Sequence, residues 1–385
     1  MKLVEVRSRK DEREFLLFPV GLYKNDVNYI RPLDKDIKSV FDPKLNKNCK
    51  PDNHKRWLLR NDRGEAIGRV AAFIQLRVLK NGGQEGSMGF FECINDLQAA
   101  TVLFDACRDW LSSKGMTSMD GPVNLGEREK WWGCLVDGFT EPNYCINYNP
   151  SYYKDLFEQY GFQTYFEQYT YGMPVKGTLS ERYVEKSKHI FENPDFRFVN
   201  LQKRKFDEGV EAFRSIYNKA WVKHEGVSEL SPGQAKALLK PLKAILDEDI
   251  AWFIFEKEKP IAFVFLLPEV NQWFKHLNGK FNALSKLRVL WMKWRKINRK
   301  MLGIAFGVIP EFQRQGMEAA LVHQSRKMVD KSDRYDYFEM NWIGDFNPKM
   351  MRVAEETGGK IVKTHITYRY LFDRNVPFER HHRIE

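Results

Sequence analysis

MLGIAFGVIPEFQRQGMEAALVHQSRKM, residues 301–328, changes its hydrophobic period half-way along. Leu302 to Ile309 is a short apolar, β-rich run bounded by Pro310, and it reads as a buried strand. From Gly316 onward Met317, Ala320, Leu321 and Met328 fall on one helical face, while Glu318, Gln324 and Lys327 fall on others. A strand therefore passes through a polar turn, Glu311 to Gln315, into a helix whose cap or first residue is glycine. The first turn of a helix leaves backbone N–H groups unpaired, and its dipole adds partial positive charge. A glycine lets a phosphate approach such amides closely, and Arg314 adds a full charge. The alternative is an ordinary strand-to-helix turn that binds nothing.

The chain around this stretch has 385 residues, which predicts two domains, and 43% hydrophobic content, which is ample for a core. No apolar run approaches the roughly 20 residues of a membrane span, and the N-terminus, MKLVEVRSRKDEREF, is too charged for a secretion signal. Cys49, Cys93, Cys107, Cys134 and Cys145 are odd in number and lack metal-ligand spacing, so they read as reduced thiols of a cytoplasmic protein without a metal. The net charge of +11 favours anionic partners.

The flanking sequence repeats itself. Residues 56–60 and 66–74 form a hairpin about the turn at Asn61, and residues 250–255 and 261–267 form another about Glu256, 195 residues later. Asn149-Pro150 recurs as Asn347-Pro348, and the helix-ending Gly161 recurs as Gly358. These spacings predict duplication of one α/β unit of roughly 180 residues. Residues 20–55 read as an irregular loop, and 360–372 as a final pair of strand segments. The main break in the repeat is an insertion near residues 270–300.

The run V-x-P-x-x-Q-R-x-G from Val308 to Gly316, followed by a helix, resembles the acyl-CoA-binding motif of the GNAT acyltransferase superfamily, Q/R-x-x-G-x-G/A. The resemblance implies that Val308, Gln313, Arg314, Gln315, Gly316, Met317 and Glu318 surround a coenzyme A pyrophosphate. It also implies that the preceding strand splays to admit the pantetheine arm. Glu318 stands where the family usually has Gly or Ala. Asn347 matches the family's cofactor-contacting asparagine after its fifth strand. The tyrosine acid that the family places seven residues later is Ala354 here, and the matching first-half position is Phe157. The first half has no such loop after Ile94 and resembles a degenerate copy. The implied fold is α/β (α+β): two tandem GNAT-like domains, 1–178 on the acceptor side and 179–385 with the acyl-CoA loop, each a mixed, mostly antiparallel sheet flanked by helices. The insertion, with Pro268 and Asn271-Gln272, is similar to a segment of uncharacterised bacterial tandem GNAT-like proteins.

Acyl transfer to an amine needs a base, a donor to the thioester carbonyl, and reactants held close. Glu339 and Glu92 are the strand-borne carboxylates placed for base work, and Asn341 shares the strand face of Glu339. An edge position or an internal ion pair is the alternative for each acid. The loop from Gly121 to Tyr153 offers Asn124, Glu127, Trp131, Trp132, Tyr148, Asn149 and Tyr152 as an acceptor pocket, or as a loop packed by its own tryptophans. Residues 274–300 interleave Leu284, Leu287, Leu290, Trp291 and Trp294 with nine Lys and Arg and no acid. Such a helix lies on an anionic membrane, docks an acyl-carrier protein, or packs over the core.

The expectation is an acyl-CoA-dependent N-acyltransferase, with acetyl-CoA or a longer acyl-CoA as donor. The acceptor is the amine of a small molecule, an amino acid or an amino lipid, and the setting is cytoplasmic or peripheral to the inner membrane face. The rival is a non-catalytic GNAT-fold binding module that uses its basic surface on anionic lipid, carrier protein or nucleic acid. Nucleic acid ranks below the others because no recognition motif appears.

Overall fold

In the computed structural model, residues 1–75, 82–126, 128–176, 181–220 and 229–383 are described. The first half supplies β1 (Lys2–Glu5), α1 (Arg9–Leu22), α2 (Asp34–Val40), β2 (His54–Arg60), β3 (Ala66–Phe73) and β4 (Glu85–Cys93). It continues with α3 (Leu97–Ser113), β5 (Ser118–Gly121), β6 (Cys134–Asp137), α4 (Tyr153–Tyr160) and β7 (Gln163–Pro174). The second half supplies α5 (Glu181–Glu192), β8 (Phe196–Asn200), α6 (Phe206–Ala220), α7 (Pro232–Leu239), β9 (Ala251–Glu256) and β10 (Lys259–Pro268). Then come α8 (Asn271–Phe274), α9 (Ala283–Trp294), β11 (Lys300–Val308), α10 (Met317–Ser332), β12 (Tyr337–Gly344), α11 (Pro348–Glu356) and β13 (Lys360–Leu371).

Local chemistry sets many of these boundaries. Asp96 accepts the Ala99 N–H at 3.0 Å and starts α3. Ser231 and Gln234 close a capping box on α7, with Pro232 at its first position. Gly161, at φ +107°, ends α4 in the left-handed region. Two readings of the sequence are corrected. Residues 20–55 contain a helix, α2, whose buried Ile37 and Val40 are too few for a visible period. Residues 360–371 form one strand rather than two, with register shifts at Ile361/Lys363 and Thr367/Tyr368 that interrupt its alternation.

All the described strands join one mixed, mostly antiparallel sheet, in the order β1-β2-β3-β4-β5-β13-β7-β12-β11-β10-β9-β8, with β6 beside β13. The order is a palindrome about the β13–β7 pair. Each half's last strand completes the other half's sheet: β7 pairs with β12, and β13 pairs with β5. Tyr368 of β13 is accordingly buried in the first-half core, stacked on Phe157 of α4 at 5.2 Å. Pairing the closing strands with each other removes two edges that separate sheets would expose. The sequence boundary at 178/179 falls in residues 177–180, outside the described residues. A core of Phe213, Phe253, Phe263, Met317 and Leu321 fills the second half, and one of Trp57, Leu103, Phe104 and Phe157 fills the first. None of the five cysteines forms a disulfide, and all are buried.

Candidate functional site

The sheet opens at one point in the second half. β11 pairs in parallel with β12 from Lys300↔Tyr337 only as far as Gly303↔Met340. On its other side, against β10, the register jumps from Phe265↔Ala305 to Leu266↔Gly303 and leaves Ile304 as an extra residue. A bulge of this kind bends the strand and ends a pairing. Beyond Gly303 the β12-facing polar groups of β11 lack a strand partner among the described residues, and Ile304 is 44% exposed.

The bent strand leads into the turn before α10. Gln313 donates from Nε2 to the Val308 carbonyl at 3.0 Å, and Gln315 to that of Glu311 at 2.7 Å, so both side chains staple the turn itself. Arg314 and Gly316 have φ of +63° and +86°. Among the described residues the N–H groups of Arg314, Gln315 and Gly316 have no partner. Gly316 has a packing reason beyond its φ: a Cβ there would lie 2.3 Å from the Lys186 carbonyl of α5. Met317 is buried in the core. Glu318 accepts no hydrogen bond among the described residues, and its charge acts on the Tyr183 phenol, which burial first, then Glu356 and Glu318, push up to about 12. Asn347 caps α11 by accepting the Met350 N–H at 3.2 Å. Ala354 is fully buried.

Glu339 of β12 is held in a buried network. Its Oε1 takes Lys300 at 2.7 Å and Lys363 at 3.5 Å, and its Oε2 takes the Asn143 amide at 2.7 Å. Burial pulls the Lys363 ammonium below its usual pKa, against the pull of Glu339. Asn143 also donates to Asn341 Oδ1 at 3.4 Å, while its own Oδ1 is buried without a partner. The Asn341 amide nitrogen has no partner among the described residues. Alongside, Glu269 accepts the N–H groups of Tyr144, Asn271 and Gln272 at 2.9 to 3.2 Å. Burial pushes its carboxyl up to about 7.

The matching first-half fork is filled. β4 and β5 pair only from Glu85↔Ser118 to Ser87↔Asp120. Past that point the Val123 N–H binds the Met88 carbonyl at 2.8 Å, and a Cβ on Gly89 would lie 1.8 Å from the Val123 carbonyl. Beside this closed fork lies a cavity of about 80 Å³. Glu92, Trp131, Tyr148 and Asn149 line it, as do Asn143, Asp34 and Asp36. Glu92 Oε2 accepts Tyr23 at 2.6 Å and Tyr153 at 2.9 Å, and Oε1 has Arg69 at 3.6 Å. Burial raises its pKa against these partners.

Comparisons with known proteins bear on the fold. The chain is 26% identical over 375 residues to the bacterial ceramide synthase of Caulobacter vibrioides, covering 96% of this chain and 97% of that protein. It is 25% identical over 373 residues to protein YghO of Escherichia coli, covering 94% and 93%. A tandem GNAT protein from the clavulanic acid biosynthesis pathway superposes over 97% of this chain and 99% of its own, at a TM-score of 0.54 and 8% identity. This is the tandem GNAT fold. No protein-family model matches the chain.

In GNAT terms the loop residues Gln313 to Glu318 sit at the start of α10, beside the open fork. Glu339 and Asn341 stand on the strand across that fork, and Glu92 lies apart from them in the first-half cavity. Of the loop from Gly121 to Tyr153, Trp131, Tyr148 and Asn149 reach the cavity, with Asn149 fully engaged by the Leu135 and Pro150 backbone. Tyr152 donates to the Cys93 carbonyl, Trp132 packs with Phe166 and Phe346, and buried Asn124 has a free Oδ1. Glu127 lies outside the described residues. Sequence reasoning missed Asn143, Lys363, Tyr23 and Arg69. Lys363 had a signal: Lys363, His365 and Thr367 alternate as polar positions on a strand that should be buried. Among the described residues no cluster of His, Cys, Asp or Glu could hold a metal, and no helix is long and apolar enough to cross a membrane.

Proposed function

We propose that the chain is an N-acyltransferase that passes an acyl group from an acyl-CoA to the amine of a lipid precursor. The bulge at Ile304 and the fork it opens carry this reading. They leave a free strand edge to which an acyl-pantetheine arm would add as a short extra strand. The exposed Gln313–Gln315 turn and its unpaired amides would take the pyrophosphate, with Arg314 adding charge. On this reading the unit 179–385 binds acetyl-CoA or a longer acyl-CoA, and 1–178 receives the acceptor.

An amine suits the first-half cavity, which Asp34, Asp36 and Glu92 line. About 80 Å³ holds a polar headgroup and not a long chain. The name of the Caulobacter relative, ceramide synthase, supports an amino-lipid acceptor. Asn143 joins the two sites, since it lines the cavity and binds Glu339 and Asn341 across the fork. Asn341, with its free amide, would donate to the thioester carbonyl as the amine attacks. Glu339 is poorly placed for base work, because Lys300, Lys363 and Asn143 already occupy its two oxygens. Glu92 is better suited: burial raises its pKa, and Oε1 has only the distant Arg69. The amine would lose its proton to Glu92 as its nitrogen bonds to the thioester carbon, the C–S bond would break, and that proton would pass on to the thiolate, so that coenzyme A leaves as the thiol.

Any substitution of Gly316 collides with α5, so Arg314→Glu is the cleaner variant. Acyl-CoA should raise the melting temperature of the purified protein, and Arg314→Glu should weaken that binding about tenfold. Thiol release with an amino-lipid acceptor measures turnover. No stabilisation by any acyl-CoA or acyl-carrier thioester would falsify the donor assignment. The locked state of Glu339 favours a second reading, a GNAT-fold binding module without turnover. Stabilisation by acyl-CoA with no thiol release under any acceptor would establish that reading instead.

A further inference from the structure

Helix α9 turns its apolar side to solvent. Leu284, Leu287, Leu290, Trp291 and Trp294 are 55% to 76% exposed, and Ile297 is 40% exposed. Helical spacing puts the first five on one side, with Ile297 just past the helix end, while Met292 and Val289 pack the other side against Trp273. These six are among only sixteen exposed large apolar side chains in the described residues, so the patch is a concentration and not ordinary scatter. A helix packed over the core would have its leucines inward.

Charge identifies what covers this face. Lys280, Lys286, Arg295 and Lys296 are exposed and have no carboxylate partner among the described residues. The other five cations of the insertion are committed elsewhere: Lys275 to Glu141, Arg299 to Asp336, Lys300 to Glu339, Arg288 to the His276 carbonyl and Lys293 to the Ala244 carbonyl. No Asp or Glu occurs between Glu269 and Glu311. A second copy would set these unpaired cations against each other. An acidic protein would meet the lysines but leave Leu284, Leu287 and Trp294 to find a matching groove.

We propose that α9 docks on an anionic phospholipid bilayer, with Leu284, Leu287, Leu290, Trp291 and Trp294 in the headgroup–acyl boundary. Indole rings and leucines enter that boundary, and flanking lysines and arginines reach the phosphates. The turn before α9 ties this face to the first-half cavity. Gly279 accepts the Asp34 N–H at 2.8 Å, Asn278 accepts Arg31 at 3.2 Å, and Lys35 lies over the Phe281 ring at 4.1 Å. Arg31 and Asp34 line the cavity, so docking sets the cavity wall close to the bilayer. That an acceptor enters from the bilayer rests on the acyltransferase reading; the docking does not.

Flotation of the full chain tests the docking without any acyl donor or turnover, so its failure is separate from failure of the enzyme reading. The protein should float with phosphatidylcholine vesicles containing about a third phosphatidylglycerol, weakly with phosphatidylcholine alone, and less as salt rises. Leu287→Glu with Trp291→Glu should raise the vesicle Kd by about 100-fold. Both sites are solvent-exposed, and unchanged circular dichroism would verify the fold. As a second measurement, brominated lipid should quench tryptophan fluorescence, and Trp291→Phe with Trp294→Phe should reduce that quenching. Absence of flotation, or equal flotation of the charged variant, overturns the proposal. So does loss, in the same variant, of a lipid-free dimer or of a complex with an acidic acyl-carrier protein.

Discussion

The two forks of this sheet descend from one plan and now differ in what fills them. The same bond closes each outer strand: Ile94 N–H to the Ile67 carbonyl at 3.1 Å, and Ile309 N–H to the Ile261 carbonyl at 3.0 Å. Counting back from these bonds, the pair Arg69↔Glu92 corresponds to Phe263↔Gly307. The first copy therefore carries a buried charge pair where the second has an aromatic ring beside a glycine. The first fork is filled by the Pro122–Val123 backbone, and the second has no strand pairing beyond Gly303 among the described residues. The two copies share a strand skeleton, and single positions separate an open fork from a closed one beside a polar cavity.

The largest effect should come from forcing a methyl into each fork. Gly89→Ala would set Cβ 1.8 Å from the Val123 carbonyl, and backbone cannot yield by a rotamer change. The expected cost exceeds about 4 kcal/mol, seen as loss of soluble protein or a collapse of the denaturation midpoint. Gly303→Ala meets the Phe338 ring at 3.0 Å and Met340 at 3.3 Å, which are side chains that can move. It should cost about 1 to 2 kcal/mol. Equal costs at the two glycines would refute the contrast between a closed and an open fork.

Much of the skeleton was legible because it depends on local chemistry. The hairpins, the Asn-Pro pairs and the glycine ends at Gly161 and Gly358 mark the repeat without any tertiary knowledge. The exchange of β7 and β13 was not legible, since each strand's alternation is satisfied equally by either neighbour. The Gln313–Gly316 turn was visible, but the reason for Gly316 was not, because the Lys186 carbonyl comes from a helix about 130 residues earlier in the chain. The Glu339 network was half visible. A carboxylate on a buried strand can be seen in sequence, but whether it faces a lysine, an asparagine or a substrate depends on three other segments. The exposed side of α9 was likewise undecided, because its period fixes a stripe and not which way the stripe points.

Intermediate in size is the pH response of the loop that joins the copies. Tyr144 is held by Glu269, and Asn147 by His365, whose Nε2 lies 3.0 Å from the Asn147 carbonyl. Burial raises Glu269 from 4.5 to about 7, so its stabilising contribution is complete below 4.5 and lost as pH rises through about 7. Burial lowers His365 from 6.5 to about 4, so its contribution is present above 6.5 and lost as pH falls through about 4. The two slopes oppose each other, and wild-type stability should vary little between these limits. Glu269→Gln removes one slope. Relative to wild type, it should lose on the order of 3 kcal/mol of unfolding free energy on going from above pH 7 down to 4.5. Parallel pH curves for the two proteins would mean that Glu269 is ordinary in its titration.

The smallest effect separates a wall from a site in the first copy. Tyr23 donates to Glu92 Oε2 at 2.6 Å and stacks on Tyr29 at 4.2 Å, so Tyr23→Phe removes a hydroxyl and keeps the ring contact. Glu92 keeps Tyr153 and Arg69, and the expected loss is about 1 to 2 kcal/mol of stability. A cavity that only packs the first copy predicts that loss and no more. A cavity that holds the acceptor amine predicts in addition a several-fold shift in acceptor KM, because the freed lone pair of Glu92 changes how it meets an ammonium, while the KM for acyl-CoA at the other fork stays put. Movement of the acyl-CoA KM instead, with the acceptor KM unchanged, would reverse the assignment of the two copies.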